Sequence, residues 1–175
     1  MTVTCLTWPE SRDKILFLQA IRITMGRKDV TKEPSSKLLH DVLNARHSPI
    51  RVLNFAFLIE DIPSNVSVHL CRHVHAVPFV SSLRNDRQDK IDGDAARRDT
   101  PIDMILYMNA EELMTMANKR LCMQAAAKTR EVVQMMCDAA TEKMPELDGL
   151  LVPMCEYHGG VCREIKPCGK CVKEG

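Results

Sequence analysis

The chain has 175 residues, which is enough for one domain with a substantial apolar core and too few for two ordinary domains. Its 24 lysines and arginines nearly balance 23 aspartates and glutamates, so the net charge gives no reason to expect general binding to nucleic acid or acidic membranes. No apolar stretch is long enough to span a membrane and no signal peptide is evident, so we expect a cytoplasmic protein with reduced thiols.

The first third of the chain predicts one strand and two helices. Alternating apolar residues from Thr2 to Thr7 indicate a short strand, and the apolar pattern from Asp13 to Met25 favours a helix. Pro34-Ser35-Ser36 is a helix-capping signal in front of a helical apolar stripe, so we predict a helix over residues 36–46.

A second strand and a short helix are predicted next. The run from Arg51 to Ile59 is rich in β-branched and aromatic residues and predicts a mostly buried strand. The segment Asp61-Ile62-Pro63 is expected to end it in a turn. Ser64 would then cap a helix that ends at Arg72 or His73.

The second half predicts a charged loop, a strand and a long helical region. Residues 85–101 are strongly charged and indicate a solvated loop, and Asp103 to Met108 indicates a strand. Asn109 followed by Glu112 forms a capping pair. Strong helix formers then continue to Lys143, enough for one or two helices that pack in the core.

Residues 72–84, RHVHAVPFVSSLR, place charge and imidazole around AVPFV, a run that by itself indicates a buried strand or turn. If the preceding segment is helical, His69, Arg72 and His73 share one face. Arginine and serine donors together suit a phosphate or the imide edge of uracil. Surface ion pairs to the acidic residues at 86–94 are the alternative, and composition does not separate the two.

These residues resemble the signature of the flavin-dependent thymidylate synthases. That signature is Arg-His-Arg, then seven residues, then Ser, with an Arg two positions beyond the Ser. This chain has Arg72-His73-Val74, seven further residues, Ser82 and Arg84. Spacing is kept and four of the five positions match.

Three further stretches resemble the family in the same order. Upstream, the family has Thr or Ser, then Pro and an acidic residue before a strand, where this chain has Ser48-Pro49-Ile50-Arg51. Downstream, it has an Arg four residues before a Pro, as at Arg97 and Pro101. It then has Asn-Ala opening a helix and an Arg eleven residues after that Asn, as at Asn109 and Arg120.

The resemblance implies an α+β fold of the flavin-dependent thymidylate synthase type, with a central antiparallel sheet, flanking helices and active sites at the interfaces of a homotetramer. It implies methylation of dUMP to dTMP, with FAD as cofactor and with methylenetetrahydrofolate and NADPH as co-substrates. The protein's own task would then be positioning and electrostatics.

The resemblance also implies roles for individual residues. Contacts to FAD would come from Ser48, Arg72, His73, Asn109 and Thr115. Contacts to dUMP would come from His69 (where the family usually has Gln), Arg72, Ser82, Arg84, Arg97 and Arg120. Arg120 would be the catalytic residue: it would face the uracil ring, where a guanidinium stabilises negative charge at the N3 and O4 edge.

Departures from the family's pattern leave other functions open. Val74 stands where Arg is usual, Phe79-Val80 where Asn-Glu is usual, and Arg51 where an acid is usual. A compact, divergent, phage-like synthase is one interpretation. A nucleotide-binding or regulatory relative without flavin chemistry is the second, and an enzyme that places another one-carbon group on a pyrimidine is the third.

The eight cysteines fall into two groups. Four stand singly among apolar residues and are expected to be small buried core residues: Cys5, Cys71, Cys122 and Cys137. Residues 151–175 are expected to form a cysteine-rich tail after a domain at 1–150. The tail residues Cys155, Cys162, Cys168 and Cys171 could close a tetrahedral zinc site, with His158 as a substitute ligand. Two disulfides or a free tail are the alternatives.

Overall fold

A computed structural model describes residues 1–28, 30, 32–89 and 91–173 of the chain. Its main sheet has four strands: β1 Thr2–Thr7, β2 Asn54–Pro63, β3 Val77–Val80 and β4 Pro101–Asn109. Five helices accompany them: α1 Ser11–Thr24, α2 Ser36–Asn44, α3 Ser64–Leu70, α4 Ala110–Arg120 and α5 Ala127–Lys143. The strands pair antiparallel in the order β1-β2-β4-β3. The predicted α+β class with a central antiparallel sheet is confirmed.

One face of the sheet packs against the helices and forms the core. Alternate residues of β4 are buried, as expected for a strand with one covered face. The same face of β2 carries Phe55 and Phe57, both fully buried, and α5 packs across β1 and β2. Burying each such side chain contributes about 1.5–3 kcal/mol, so this face dominates the stability of the fold.

The opposite face of β3 and β4 is apolar and exposed. Val77 lies opposite Tyr107 and Phe79 opposite Ile105, and the four side chains are 37–61% exposed. The prediction that AVPFV is a buried strand is therefore half wrong: residues 77–80 form a strand, but all four are exposed. Strand β3 is at the sheet's edge, so it pairs with β4 alone.

Strand β2 differs from its prediction at both ends. It begins at Asn54, after a 3₁₀ turn over Ser48–Val52, and it continues through the predicted turn to Pro63. The reason is an irregularity in pairing between Ile59 and Ile62. Asp61 takes a positive φ of 55° there, and its backbone N–H donates to Asp103 Oδ1 at 2.9 Å, so the bulge is satisfied without ending the strand.

Helix α3 is shorter than predicted, and Ser64 does not cap it. Ser64 is its first helical residue, and its Oγ lies 3.2 and 3.0 Å from the carbonyl oxygens of Arg97 and Arg98, to which it donates. The helix ends at Leu70, so Arg72 follows it in a turn. These bonds hold the segment around Arg98 against the start of α3.

The remaining helix predictions are confirmed with shifts of one or two residues at their ends. Ser35 caps α2, since its Oγ accepts from the Leu38 N–H at 3.3 Å, and α2 ends two residues before the predicted end. Asn109 caps α4 by accepting from the Glu112 N–H at 3.0 Å. The region up to Lys143 forms two helices rather than one.

The C-terminal tail has little regular structure and rests on the main body. It contains α6 Met154–Tyr157 and a parallel pair of two-residue strands, β5 Val161–Cys162 and β6 Val172–Lys173. Tyr157 Oη donates to the Asn44 carbonyl at 2.6 Å, and the Arg46 guanidinium lies 4.5 Å from the Tyr157 ring centre. The boundary at residue 150 stays a prediction.

The four cysteines that lie outside the tail differ in how far they are buried. Cys5 and Cys137 are buried as predicted. Cys71 is exposed and Cys122 half-buried, because both follow the ends of helices, so the prediction of burial is wrong for Cys71. Within the residues that the structure describes, no helix combines the length and apolar character needed to cross a membrane.

Candidate functional site

Arg120, His73 and Glu112 form a chain of hydrogen bonds at one end of the sheet. Arg120 Nε lies 3.0 Å from His73 Nε2, and His73 Nδ1 lies 2.8 Å from Glu112 Oε1. Arg120 Nη2 also donates to the carbonyl oxygen of His69 at 3.0 Å. Helix α4 positions both ends of this chain, since residues eight apart lie on one helical face. Helix α4 and the segment from His69 to His73, which are distant in sequence, together hold the Arg120 guanidinium in place.

The protonation of His73 follows from these contacts. Its side chain is buried, and burial lowers the pKa of His73, which the nearby Arg120 charge lowers further while the bond to Glu112 opposes the change. The ring is therefore neutral at pH 7. Because Nε2 accepts from Arg120, the ring proton sits on Nδ1 and is donated to Glu112. The contact with Glu112 is thus a hydrogen bond rather than an ion pair.

An open cleft of about 470 Å³ lies beside these hydrogen-bonded residues, between α3 and the segments that flank β3 and β4. Its polar lining residues are Ser64, Asn65, Ser67, His69, Arg72, Ser81 and Arg98. No acidic side chain lines it in the described part of the chain. A cleft with cations, hydroxyls and no carboxylate favours an anionic, hydrogen-bonding ligand.

The cations of the cleft repel one another and lack counter-charges. Arg72 and Arg98 make no ion pair within the described residues. Burial, and then the charge of Arg72, lower the pKa of Arg120. Burial and the charges of Arg120, Arg72 and Arg98 lower the pKa of His69, whose Nδ1 lies 2.8 Å from Thr129 Oγ1. A bound anion would relieve this repulsion.

Asn65 adds a polar atom without a partner. Its Oδ1 is buried and has no hydrogen-bond partner in the described part of the chain, although the residue lines the cleft. A buried acceptor left unpaired costs about 1–3 kcal/mol, so such an atom in a cleft indicates a donor supplied by a ligand.

The structure brings together some of the predicted dUMP contacts and not others. His69 and Arg72 line the cleft, and Arg120 bonds to the His69 carbonyl without lining the cleft itself. Ser81 and Arg98 line it, rather than their neighbours Ser82 and Arg97. The roles of Ser82 and Arg97 in binding stay predictions.

Three of the predicted dUMP contacts have partners on the surface. Arg84 binds Asp86 through Nε at 2.8 Å and Nη2 at 2.6 Å, which matches the alternative of ion pairs to the acidic loop. Arg97 is exposed, 3.6 Å from Asp99, and Ser82 Oγ accepts from the Arg84 N–H at 3.2 Å. Arg84 and Arg97 are exposed, and Ser82 is half-buried.

The predicted flavin contacts are dispersed in one protomer. Ser48 is exposed at the start of the 3₁₀ turn. Asn109 Oδ1 is used in the helix cap, and Thr115 Oγ1 donates to the Glu111 carbonyl at 2.8 Å. Arg51, the basic replacement for an acid, binds Glu111 through Nε at 2.5 Å and Nη2 at 3.3 Å. Their role in flavin binding therefore stays a prediction.

The tail cysteines lie at a second, separate cavity. Cys155, Cys162 and Cys168 line it, and burial raises the pKa of the Cys155 thiol, which the nearby Cys171 raises further. Among the described residues, no group of three or more His, Cys, Asp or Glu side chains is already arranged to hold a metal ion.

Sequence reasoning missed Asn65, Arg98 and the role of Glu112. Glu112 was predicted only as a capping partner, and its eight-residue spacing from Arg120 was the signal that both share a face. Arg98 differs by one position from the residue that the resemblance indicates. Nothing in the sequence marks Asn65.

Known structures with a similar fold are enzymes of pyrimidine nucleotides. Flavin-dependent thymidylate synthase ThyX of Helicobacter pylori, complexed with FAD and dUMP, has a TM-score of 0.70 and 17% identity, covering 86% of this chain and 99% of that chain. A second structure of ThyX from H. pylori with FAD and dUMP gives 0.69 and 18%, with the same coverage. The UMP/dUMP methylase PolB of Streptomyces cacaoi, bound with 5-Br dUMP, gives 0.65 and 15%, covering 83% and 92%.

No protein-family model and no curated protein sequence matches the chain. The similarity is therefore one of structure, at low identity. The chain has the ThyX-like fold, and the predicted fold is confirmed.

Proposed function

We propose that this chain is a flavin-dependent thymidylate synthase that methylates dUMP to dTMP, with methylenetetrahydrofolate as carbon donor and NADPH as reductant. The observation that carries the proposal is a cleft lined by His69, Arg72 and Arg98 with no acidic lining residue, next to Arg120, which bonds to the His69 carbonyl. The fold shared with enzymes whose structures contain dUMP or 5-Br dUMP supports it.

The cleft offers complementary groups for each part of dUMP. Arg72 and Arg98 are exposed and without counter-charge, and would bind the phosphate dianion with charge-assisted hydrogen bonds. Arg120, which is bonded to the carbonyl of the cleft residue His69, would face the uracil. The unpaired Asn65 Oδ1 would accept the uracil N3–H.

Arg120 would act by electrostatics. Adding carbon at C5 of uracil places negative charge on the O4 edge of the ring, and a fixed guanidinium stabilises that charge without reorganising. His73 and the His69 carbonyl hold two of the arginine's N–H groups, so its orientation is set before the substrate binds. No cysteine nucleophile is needed for this role.

FAD would supply the methylene relay and the hydride when bound. Arg72 and the Ser48 hydroxyl make no hydrogen bond to protein within the described residues, and Asn109 Nδ2 is likewise unused by the helix cap. These groups could therefore hold a flavin nucleotide without breaking existing bonds.

A neighbouring subunit would complete the site in a homotetramer. The exposed face of β3 and β4, with Val77, Phe79, Ile105 and Tyr107, is a contiguous apolar surface of the kind that marks subunit contacts. Association there would also bring the exposed Arg84 toward an interface.

The experiment that tests the function combines spectroscopy with product analysis. We expect purified protein mixed with FAD to retain the visible band of oxidised flavin after desalting, and to form dTMP from dUMP, methylenetetrahydrofolate and NADPH. Arg120→Gln should abolish product formation, while the exposed helix variant Arg12→Gln should match the wild type. Colourless protein that forms no dTMP would overturn the proposal.

A relative that binds nucleotides without flavin chemistry is the second candidate. Val74 and Phe79 are 84% and 61% exposed, and Val80 lines the cleft, so apolar side chains stand where the family has polar ones. Binding of dUMP that does not depend on FAD, with no turnover, would favour it. A product whose mass differs from dTMP would instead favour another one-carbon transfer to the pyrimidine, the third candidate.

A further inference from the structure

A cavity of about 260 Å³ lies between the C-terminal end of α4 and the tail, away from the nucleotide cleft. The lining side chains of types that can ligate metals are Cys122, Cys155, His158, Cys162, Glu164 and Cys168. Cys171 lies close enough to Cys155 to raise the pKa of its thiol, after the larger effect of burial. All four thiols of the tail therefore lie at or next to one small cavity.

The tail's backbone turns bring these cysteines together. Gly159 and Gly160 have φ values of 67° and 91° and reverse the chain after α6, between Cys155 and Cys162. Gly169 has a φ of 83° inside the sequence Cys168-Gly-Lys-Cys171. Such left-handed turns favour glycine, and a C-x-x-C turn is a common way to present two thiolates to one ion.

The tail has too little packing to hold its shape alone. Its regular structure consists of one four-residue helix and two two-residue strands. Yet Cys162 is only 5% exposed and the cavity has a defined lining. Segments of this size are usually stabilised by a metal or by disulfides, because their apolar burial does not offset the entropy of ordering.

We propose that the thiolates of Cys155, Cys162, Cys168 and Cys171 bind one Zn²⁺ in a structural site. Binding forms four Zn–S bonds of about 2.3 Å in a tetrahedron and releases the four thiol protons to solvent, with no change of oxidation state. The thiols are not yet arranged as ligands, so closure requires rotation of side chains within the glycine-bounded turns.

The charges around the cavity suit this ion. Four thiolates and one Zn²⁺ carry a net charge of −2, and the cavity is lined by the basic residues Lys119 and Arg163 and by the acidic Glu164. Lys170 lies close enough to Cys155 and Cys171 for their charges to affect its pKa. Lys119 is paired with Glu164 and Lys170 with Glu156, so these cations offset the negative charge only in part, and the metal itself would drive deprotonation of the thiols.

The site is separate from the proposed enzyme function, and its test does not use activity. Protein purified in reducing buffer without chelator should contain about one zinc per chain by elemental analysis. Cys162→Ser and Cys168→Ser should reduce this to below about a tenth of an equivalent. Cys71→Ser should leave it unchanged, since Cys71 is exposed and outside the tail.

A second measurement covers the case in which the tail variants fail to fold. Wild-type protein loaded with Co²⁺ in place of Zn²⁺ should show the intense sulfur-to-cobalt absorption bands of a tetrahedral thiolate site. Metal-free protein whose unreduced mass lacks the hydrogens lost in two disulfides would overturn the proposal. Full retention of zinc in both Cys162→Ser and Cys168→Ser would overturn it equally.

Discussion

Arg120 donates from Nε to the unprotonated Nε2 of His73 at 3.0 Å, so a neutral histidine supports the cation that we place against uracil. Glu112 completes the arrangement by accepting the proton on His73 Nδ1 at 2.8 Å. His73 and Glu112 are both buried, so the tautomer of His73 is fixed by protein groups rather than by water. Glu112 is thus a positioning residue that acts on Arg120 through His73.

We expect Glu112→Ala to lower both stability and dUMP affinity. It leaves the buried His73 Nδ1–H without an acceptor, which costs about 1–3 kcal/mol in the free energy of unfolding. Glu112→Gln should restore most of that loss, because its amide oxygen accepts the same bond. Urea denaturation and calorimetric titration with dUMP measure the two effects. Equal values for wild type and Glu112→Ala would contradict the positioning role.

The lowered pKa of His73 predicts a loss of stability in mild acid. In the unfolded chain His73 takes up a proton near its ordinary pKa of 6.5, whereas the folded chain resists protonation. Where the unfolded state binds more protons, the free energy of unfolding rises with pH. His73 should therefore contribute its full stabilisation above pH 6.5, and this should decline as the pH falls from 6.5 toward the lowered pKa.

The measurement is urea denaturation of wild type and His73→Asn between pH 7.5 and pH 5. His69 also has a lowered pKa, and its contribution remains in the variant, so it cancels in the difference. The difference in unfolding free energy should shrink by about 1.4 kcal/mol for each unit by which folding lowers the pKa. A difference that does not vary with pH would contradict the neutral state of His73.

The neighbours Arg97 and Arg98 provide a test between two assignments of the phosphate site. The structure favours Arg98, whereas the family pattern favours Arg97. Arg98 lines the cleft without a counter-charge, whereas Arg97 faces solvent beside Asp99. Loss of a charge-assisted hydrogen bond costs about 1.5–3 kcal/mol, so Arg98→Gln should weaken dUMP binding roughly 10- to 150-fold. Arg97→Gln should change the dissociation constant less than about threefold. The reverse ranking would favour the family pattern.

Local signals in the sequence predicted the elements well. Ser35 and Asn109 cap helices because each side chain bonds to an N–H three residues ahead, a contact that depends on local sequence alone. Strand β4 was predicted from the short apolar run Asp103 to Met108, and the alternation of buried and exposed residues appears only in the structure. These features need no knowledge of distant residues.

Tertiary contacts decided the features that were predicted wrongly or missed. The edge position of β3 exposes Phe79, and no property of AVPFV itself marks an edge strand. The bulge at Asp61 depends on Asp103, more than forty residues away. Arg98 rather than Arg97 reaches the cleft because Ser64 and Asn65 bind the backbone of that segment. Spacing along a chain cannot fix such a one-residue difference.

The exposed apolar face predicts self-association through β3 and β4. Phe79 is 61% exposed beside Ile105, and burying such side chains between subunits is favourable by about 25 cal/mol for each Å². Phe79→Asp should therefore lower the oligomeric state in light scattering after gel filtration. Leu16→Asp is the matched control, since Leu16 is also exposed, at 47%, but lies on α1. A wild-type monomer would contradict the prediction.

Because the side-chain oxygen of Asn65 is unpaired, we expect its removal to weaken dUMP binding while hardly changing the stability of the fold. Oδ1 is buried and no described residue donates to it, so Asn65→Ala removes an unsatisfied acceptor and should cost little in the free energy of unfolding. If that oxygen accepts the uracil N3–H, the same change should remove one hydrogen bond and weaken dUMP binding by about 0.5–1.5 kcal/mol. Titration with deoxyribose 5-phosphate, which lacks the base, is the control, and its affinity should not change. An equal loss for both ligands would place Asn65 near the phosphate instead of the ring.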